Sequence, residues 1–333
     1  MVNNIIDGIH MKIDKIEQIN FEMAGNCNLK CPMCPQSSGR EKDFLKKFPI
    51  DLFKGAIDEA IPLGLKYIQL SGSGEPLLSK DLEEAIAYAS ERKLITMIYT
   101  NGVLLNEKRF RKLNEAGLSM CKVSCMGWDR ESFKRWMSAD NFDKVRNNLK
   151  KCLEIIKNEN IGTYLQTNHL IHDYKNKELE TKMYIDNWIN YLGIEGEIWI
   201  EHNWAGLYSN TDRNEIFENR KIRSCGRPLK NVVEIRAGGT GDENGAVVPC
   251  PNVLGQDSKA IMGHLSKQSL IDIVNGELMQ SLRKAHIANS YEEFDYCKNC
   301  DQLLEVEEAL VWTNVPNRKY GESRVSNIKL VSD

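Results

Sequence analysis

Three cysteines fall within eight positions near the start of the chain: Cys27, Cys31 and Cys34, in the stretch AGNCNLKCPMCPQ. A disulfide uses two thiols, and a closed tetrahedral metal site uses four protein ligands. Three thiolates on one loop suit a metal centre that keeps one position open, such as an iron–sulfur cluster with one iron lacking a protein ligand. A zinc site with a fourth ligand elsewhere, or three incidental thiols, is the plainer alternative. Zinc, however, favours C-x2-C pairs brought together in space.

A second set follows later: Cys225, Cys250, Cys297 and Cys300, with gaps of 24, 46 and 2 residues. Four thiolates suffice for a closed, fully protein-ligated site, and zinc is one reading of it. Three cysteines remain. Cys152 reads as a buried small hydrophobe on a helix. Cys121 and Cys125 sit on a strand, MCKVSCMGW.

These residues need a scaffold. From about residue 15 to 220, β-rich apolar runs alternate with helical patterns: IEQINFEM, YIQLSGSGEP, LITMIYTNG, MCKVSCMGW, TYLQTNHLIHD and EIWIEHNWAG as strands. Six strands with helices between them imply a parallel sheet with right-handed crossovers, lying open or curled into a barrel. In a barrel of this kind, active groups sit at the C-terminal strand ends. The cysteine loop, GSGEP, YTNG, SCMG and NWAG all fall there. From about residue 221 the pattern changes. VVEIRAGGTGDENGAVVPC reads as a β-hairpin, and a helical region and YCKNCD follow it. A domain boundary is expected near 220.

The chain has 333 residues, and Lys+Arg 44 against Asp+Glu 47 leaves a net charge of -3. That balance argues against a bare nucleic-acid backbone as the main partner. The N-terminus has no apolar h-region, and no apolar run approaches the ~18–20 residues that span a bilayer. A cytoplasmic protein with reduced thiols is therefore expected, with no membrane partner. Ten cysteines there read better as metal ligands or core than as disulfides.

C-x3-C-x2-C after a first strand, with CNLKCPMC around it, resembles the radical SAM superfamily. The resemblance implies a partial (β/α)6 TIM-like barrel. It also implies a 4Fe–4S cluster whose open iron chelates the amino and carboxylate groups of S-adenosylmethionine. One electron, from an external donor of the flavodoxin or ferredoxin kind, then releases a 5′-deoxyadenosyl radical that takes a hydrogen atom from the substrate. Ser71, Gly72, Gly74 and Glu75, in SGSGEP, stand where the family's GGE motif meets the methionine amino group. Ser124 matches a serine that contacts the cofactor's carboxylate or ribose, although Met126 replaces the usual acid after it. Arg135 stands where related enzymes carry a basic residue for the carboxylate. Asn101 and Asn168, at strand ends, could face the adenosine or serve as turn residues.

The second set of cysteines, on a hairpin and beyond a helix, resembles the SPASM/Twitch extensions of that superfamily. With four cysteines, the resemblance implies one auxiliary 4Fe–4S cluster, in a spacing similar to the aminocyclitol-oxidising radical SAM dehydrogenases. It covers most of the chain and implies mechanism more than substrate. Oxidation of a secondary alcohol on a small sugar-like or aminocyclitol molecule is the expected reaction, with the auxiliary cluster as electron acceptor. Peptide maturation or epimerisation, and a non-catalytic Fe–S or zinc protein, are the alternatives.

Oxidation also needs a proton acceptor. Related dehydrogenases carry an acid just after the hairpin cysteine, but here the text is Cys250-Pro251-Asn252, and an amide is a poor base. Glu201 and His202, beside Asn203 and Trp204 on the sixth strand, are the expected catalytic pair. Strand alternation adds two expectations. If Ser124 points inward, so does Lys122, which needs a buried partner; Glu22 is the candidate. Cys125 then points outward to the helices, which weakens a role as thiol hydrogen donor.

Overall fold

The computed structural model describes residues 12–37, 46–209, 224–253, 258–303 and, for the backbone, 309–312. All six expected parallel strands form: β1 (Gln18–Phe21), β2 (Tyr67–Leu70), β3 (Ile95–Thr100), β4 (Met120–Ser124), β5 (Tyr164–Ile171) and β6 (Glu195–Ile200). Each pairs parallel with the next. The crossovers carry α1 (Ile50–Ala60), α2 (Leu82–Glu91), α3 (Glu107–Glu115), α4 (Arg130–Met137), α5 (Phe142–Glu159) and α6 (Lys177–Tyr184). The last of these runs on as a π-helical turn, Ile185–Asn190. Among the described residues the sheet does not close, as a partial barrel requires.

The C-terminal hairpin extends the same sheet. Strand β7 (Val232–Arg236) pairs parallel with β1, β8 (Ala246–Val248) returns antiparallel, and β9 (Gly263–His264) follows. On the far edge, β10 (Ala309–Trp312) pairs antiparallel with β6, in a stretch whose sequence reads only as a tail. The full order is 10-6-5-4-3-2-1-7-8-9. The helical region after the hairpin is two helices, α7 (Leu270–Val274) and α8 (Glu277–Ile287), separated at Asn275-Gly276; a short α9 (Asp295–Lys298) precedes Cys300. The expected boundary at 220 lies outside the described residues. No helix among the described residues is long and apolar enough to cross a membrane.

Alternation sorts the two faces of the sheet. Ile19 and Phe21 of β1 turn toward the helices, where Phe21 meets Phe53 at 4.6 Å and Phe48 at 5.3 Å between ring centroids. Helix α1 buries Phe53, Ala56, Ile57 and Ala60, one stripe at helical spacing. Each such phenylalanine contributes roughly 1.5–3 kcal/mol by burial.

The other face is concave and polar. Gln18 Nε2 donates to Asn20 Oδ1 at 2.7 Å, and Asn20 Nδ2 donates to Glu234 Oε1 at 2.6 Å. Lys122 is buried on this face, as alternation required, but its partner is not Glu22. Lys122 Nζ lies 3.0 Å from Glu197 Oε2, reaching from β4 over β5 to β6. The two side chains together bridge two strand spacings, about 9–10 Å, across β5. Glu22 instead faces Arg236 of β7, a strand that sequence reading placed in a separate unit.

Candidate functional site

The first cysteine loop leaves β1 and folds back in tight turns. Cys34 N donates to Cys31 O at 3.0 Å, Ser37 N to Cys34 O at 2.9 Å, and the Gln36 amide ties back to Gly25 O. Leu29 N donates to Cys27 Sγ at 3.5 Å. Cys31 Sγ lies 3.9 Å from Met137 Sδ, at the end of α4. Burial raises all three thiol pKa values, Cys34 to about 11. For Cys31 the neighbouring Cys34 and Cys27 add repulsion, so the three share one microenvironment.

The loop after β2 docks on this one through its backbone. Glu75 N donates to Asn26 O at 2.9 Å. A Cβ at Gly74 would stand 2.1 Å from Ala24 O and 2.5 Å from Asn26 O; one at Gly72 would stand 2.6 Å from the Glu22 side chain. Both positions therefore require glycine by close approach. The Glu75 carboxylate is buried and accepts from Thr100 Oγ1 at 2.7 Å, Asn101 N at 2.8 Å and Leu77 N at 3.0 Å. It braces the β2 and β3 ends together. Ser71, at the start of the loop, accepts from Gln69 Nε2 at 2.8 Å.

The other expected cofactor residues divide. Asn101 Nδ2 reaches Asn28 Oδ1 at 2.8 Å and Cys27 Sγ at 3.8 Å, so β3 also contacts the cysteine loop. Ser124 Oγ donates to Asn168 Oδ1 at 2.9 Å across the paired ends of β4 and β5. Arg135 lies exposed on α4. Cys125 is buried and turned outward, where it adjoins Tyr184 of the helical layer.

Glu201 and His202 part company. Glu201 Oε1 lies 2.7 Å from His172 Nδ1, and Trp136 of α4 stacks on that imidazole at 4.0 Å and 19°. His202 packs against Trp204 at 4.2 Å, and its Nδ1 accepts from Trp204 N at 3.2 Å. Asn203 joins the barrel to the second cysteine set. Its N donates to Asp301 Oδ2 at 2.5 Å, its Nδ2 to Asn299 O at 2.7 Å, and its Oδ1 accepts from Asp301 N at 3.1 Å.

Cys225, Cys250, Cys297 and Cys300 converge. Ala205 and Val253 pack with Cys250 and Cys300, while Tyr291 and Leu303 pack with Cys225 and Cys297. Burial raises the Cys250 thiol to about 11, and Cys225 adds to the rise. Cys297 and Cys300 are raised first by burial and then by the Cys250 thiolate. Amide donors surround the sulfurs: Arg227 N reaches Cys225 Sγ at 3.5 Å, Asn252 N bonds Cys250, and Gln302 N bonds Cys300.

Two family patterns match the chain: the radical SAM superfamily over residues 21–180, and SPASM, an iron–sulfur cluster-binding domain, over residues 242–301. The chain is a member of the radical SAM superfamily with a SPASM domain. Similar proteins include a probable GTP 3′,8-cyclase of Methanococcus maripaludis, 32% identical over 42% of this chain and 47% of that one. A PqqA peptide cyclase of Granulibacter bethesdensis is 32% identical over 45% of this chain and 38% of that one. The chain thus spans about half, or less, of the length of these curated relatives. Among solved structures, BtrN in complex with AdoMet and 2-DOIA superposes with TM-score 0.58 at 22% identity, over 89% of this chain and 98% of that one. SuiB of Streptococcus suis, bound to its precursor peptide SuiA, gives 0.58 at 14% identity, over 87% and 70%. At such identities the superpositions speak for the fold.

The cofactors of a radical SAM protein with a SPASM domain are a 4Fe–4S cluster, S-adenosylmethionine and auxiliary iron–sulfur. The residues fit them. Both cysteine sets are too buried to hold several thiolates without metal, since burial favours the protonated thiol. The i+2 amide N–H groups at Cys27, Cys225, Cys250 and Cys300 give thiolate ligands the donors they need. Asn26 Oδ1, beside Cys27, and Asn252 Nδ2, beside Cys250, are buried and lack a partner among the described residues. Sequence reasoning missed His172, Glu197, Glu234, Arg236 and His286. Alternation carries a signal for four: His172 follows Asn168 by four, Glu197 precedes Glu201 by four, and Glu234 and Arg236 alternate on β7.

Proposed function

We propose that this radical SAM protein oxidises a secondary alcohol on a small polar substrate of the sugar or aminocyclitol type. The observation that carries this reading is the concave face. Gln18, Asn20, Tyr99, Lys122, Glu197 and Trp199 point into the barrel, where an ordinary core would place valine and leucine. Lys122 Nζ stands 5.1 Å above the Tyr99 ring, and Trp199 Nε1 donates to Glu197 Oε2 at 3.1 Å. Hydrogen-bonding groups beside aromatic rings suit a polyhydroxylated ligand.

The bound cofactors supply reductive cleavage of S-adenosylmethionine, the hydrogen-abstracting 5′-deoxyadenosyl radical and, at the auxiliary site, a one-electron acceptor. The chain's own residues do the rest. Cys27, Cys31 and Cys34 hold the first cluster, and Cys225, Cys250, Cys297 and Cys300 hold the auxiliary one. Ser71, Gly72 and Gly74 bring backbone close to the methionine amino group, and Glu75 fixes that loop. Asn101, Ser124 and Asn168 face the nucleoside, with Arg135 available to the carboxylate. Glu201 takes the hydroxyl proton, held in place by His172, with His202 on the opposite side of the strand. Residues 1–220 supply the catalytic core and 221–333 the auxiliary ligands, joined through one sheet and served by an external one-electron donor of the flavodoxin or ferredoxin kind in a reducing compartment.

The test is anaerobic turnover with dithionite and S-adenosylmethionine against sugars, aminocyclitols and short peptides. Deuterium transfer into 5′-deoxyadenosine locates the attacked carbon. Cys31→Ala should abolish cleavage, and Cys297→Ala should leave some uncoupled cleavage. The peptide arm tests the second reading, which the similarity to PqqA peptide cyclases favours. Turnover of peptides alone would replace the alcohol reading.

A further inference from the structure

Three of the four auxiliary cysteines receive an amide N–H from the residue two positions on: Arg227 for Cys225, Asn252 for Cys250 and Gln302 for Cys300. Cys297 is the exception. The amide two positions after it, Asn299 N, caps α9 by donating to Cys297 O. That donor is directed at the carbonyl, and among the described residues no backbone amide donates to Cys297 Sγ.

An imidazole stands there instead. His286, near the end of α8, places Nε2 3.4 Å from Cys297 Sγ. The tautomer follows from what faces the two ring nitrogens together. Cys225 N–H, which can only donate, points at His286 Nδ1 from 3.4 Å. Ser224 Oγ, 3.1 Å from Nδ1, can give or take a hydrogen there, whereas a metal-bound Cys297 thiolate can only accept. With Cys225 N–H on Nδ1, the tautomer that satisfies both ends carries its hydrogen on Nε2. The ring cannot turn freely. It is buried, Tyr291 stacks on it at 5.1 Å and 16°, and Ser224 Oγ holds the backbone of the same residue through His286 O at 2.6 Å.

We propose that His286 is the missing fourth donor: a neutral N–H···S hydrogen bond to Cys297 that raises the reduction potential of the auxiliary cluster. The inference rests on the four-cysteine ligand set proposed above. Its physical basis is simple. Reduction adds negative charge that spreads over the sulfurs, and a fixed N–H dipole aimed at one of them stabilises the reduced form more than the oxidised form. A higher potential makes the cluster a better acceptor for a substrate electron. His286 acts through Cys297 and is a positioning residue.

The test uses the full-length chain carrying Cys27→Ala, Cys31→Ala and Cys34→Ala, so that only the auxiliary cluster remains. Iron analysis comes first: a chain that binds no iron overturns the ligand set itself. With iron present, the midpoint potential is read by an EPR-monitored redox titration. His286→Leu should shift it to more negative values, and His286→Gln, which keeps an N–H donor, should bring it back toward that of the parent. An unchanged potential in a cluster-loaded His286→Leu protein overturns the proposal. Should that variant lose its cluster, pulsed EPR of the His286-containing protein decides. A weak nitrogen coupling together with an exchangeable proton supports the hydrogen bond. A strong coupling, the mark of direct ligation, or none at all overturns it.

Discussion

Arg236 NH1 stands 3.7 Å from Glu22 Oε2, while NH2 of the same guanidinium donates to the carbonyls of Pro251 at 2.7 Å and Val253 at 3.0 Å. Glu22 is the residue after β1, five positions before Cys27. Pro251 follows Cys250. One buried side chain thus spans the distance between the strand that launches the first cysteine loop and the segment that carries an auxiliary ligand. Glu22 also accepts from Ser73 N at 2.7 Å and Ala237 N at 3.2 Å, so the loop after β2 shares the same carboxylate.

Removing that guanidinium should be costly. Arg236→Met leaves Glu22 buried without its cation, a change worth about 3–5 kcal/mol. Because the strut touches both cysteine regions, iron content should fall at both sites together. Denaturant unfolding and iron analysis of the purified variant check the two halves of this expectation.

Lys122 and Glu197 invite a cycle. Each single change, Lys122→Met or Glu197→Leu, strands a buried charge and should destabilise by about 3–5 kcal/mol. The double variant should recover much of that loss, since neither charge remains. If the pair lines the substrate chamber, the double variant folds well yet shows a raised KM for the substrate that the screen identifies. Unfolding curves and steady-state kinetics separate the two effects.

Much of this was legible in the sequence because the scaffold depends on local pattern. The six strands and their order follow from alternation of β-rich and helical runs, and the three-cysteine loop carries its spacing on its face. What was not legible is contact between segments far apart in the chain. Lys122 faced inward as alternation said, but its partner lay 75 residues on, not on β1. The hairpin looked like the start of a separate unit, whereas β7 pairs directly with β1. His286 sits in an unremarkable helical stretch, and only the convergence of α8 with Cys225 and Cys297 gives it a purpose.

Gly74 is a sharp test of the loop docking. A methyl group there would meet Ala24 O at 2.1 Å and Asn26 O at 2.5 Å, and both are backbone atoms that cannot rotate away. Gly74→Ala should therefore push the first cysteine loop off the β2 end. The expected outcome is loss of about half the bound iron and of 5′-deoxyadenosine formation, with the auxiliary EPR signal retained.

Burial pushes the Glu234 carboxyl up to about 7 from an ordinary 4.5, against the attraction of Arg236, the Asn20 hydrogen bond and the attraction of Arg227. The folded chain therefore holds this proton more tightly than the unfolded chain. The stability it contributes is full below about 4.5 and is lost as pH rises through about 7, a change on the order of 3 kcal/mol. Glu234→Gln should flatten that part of the stability–pH curve. Urea unfolding of the metal-free protein between about pH 5 and pH 7 measures it.

The Glu201–His172 pair carries the most direct test of chemistry. By alternation Glu201 shares the concave face with Glu197 and Trp199, whereas His202 turns to the other side and packs on Trp204. A carboxylate held at 2.7 Å from an imidazole can pass a proton on, so the charge accepted from a substrate hydroxyl need not stay on one buried atom. Glu201→Gln keeps the shape and a hydrogen bond to His172 but removes the base. Substrate oxidation should fall by roughly 100- to 10,000-fold. Cleavage of S-adenosylmethionine does not need this proton and should continue, so 5′-deoxyadenosine accumulates without product. His202→Ala should leave coupling intact. Equal loss of cleavage and oxidation in Glu201→Gln would place Glu201 in cofactor binding instead, and coupled turnover at the parent rate would remove it from the reaction.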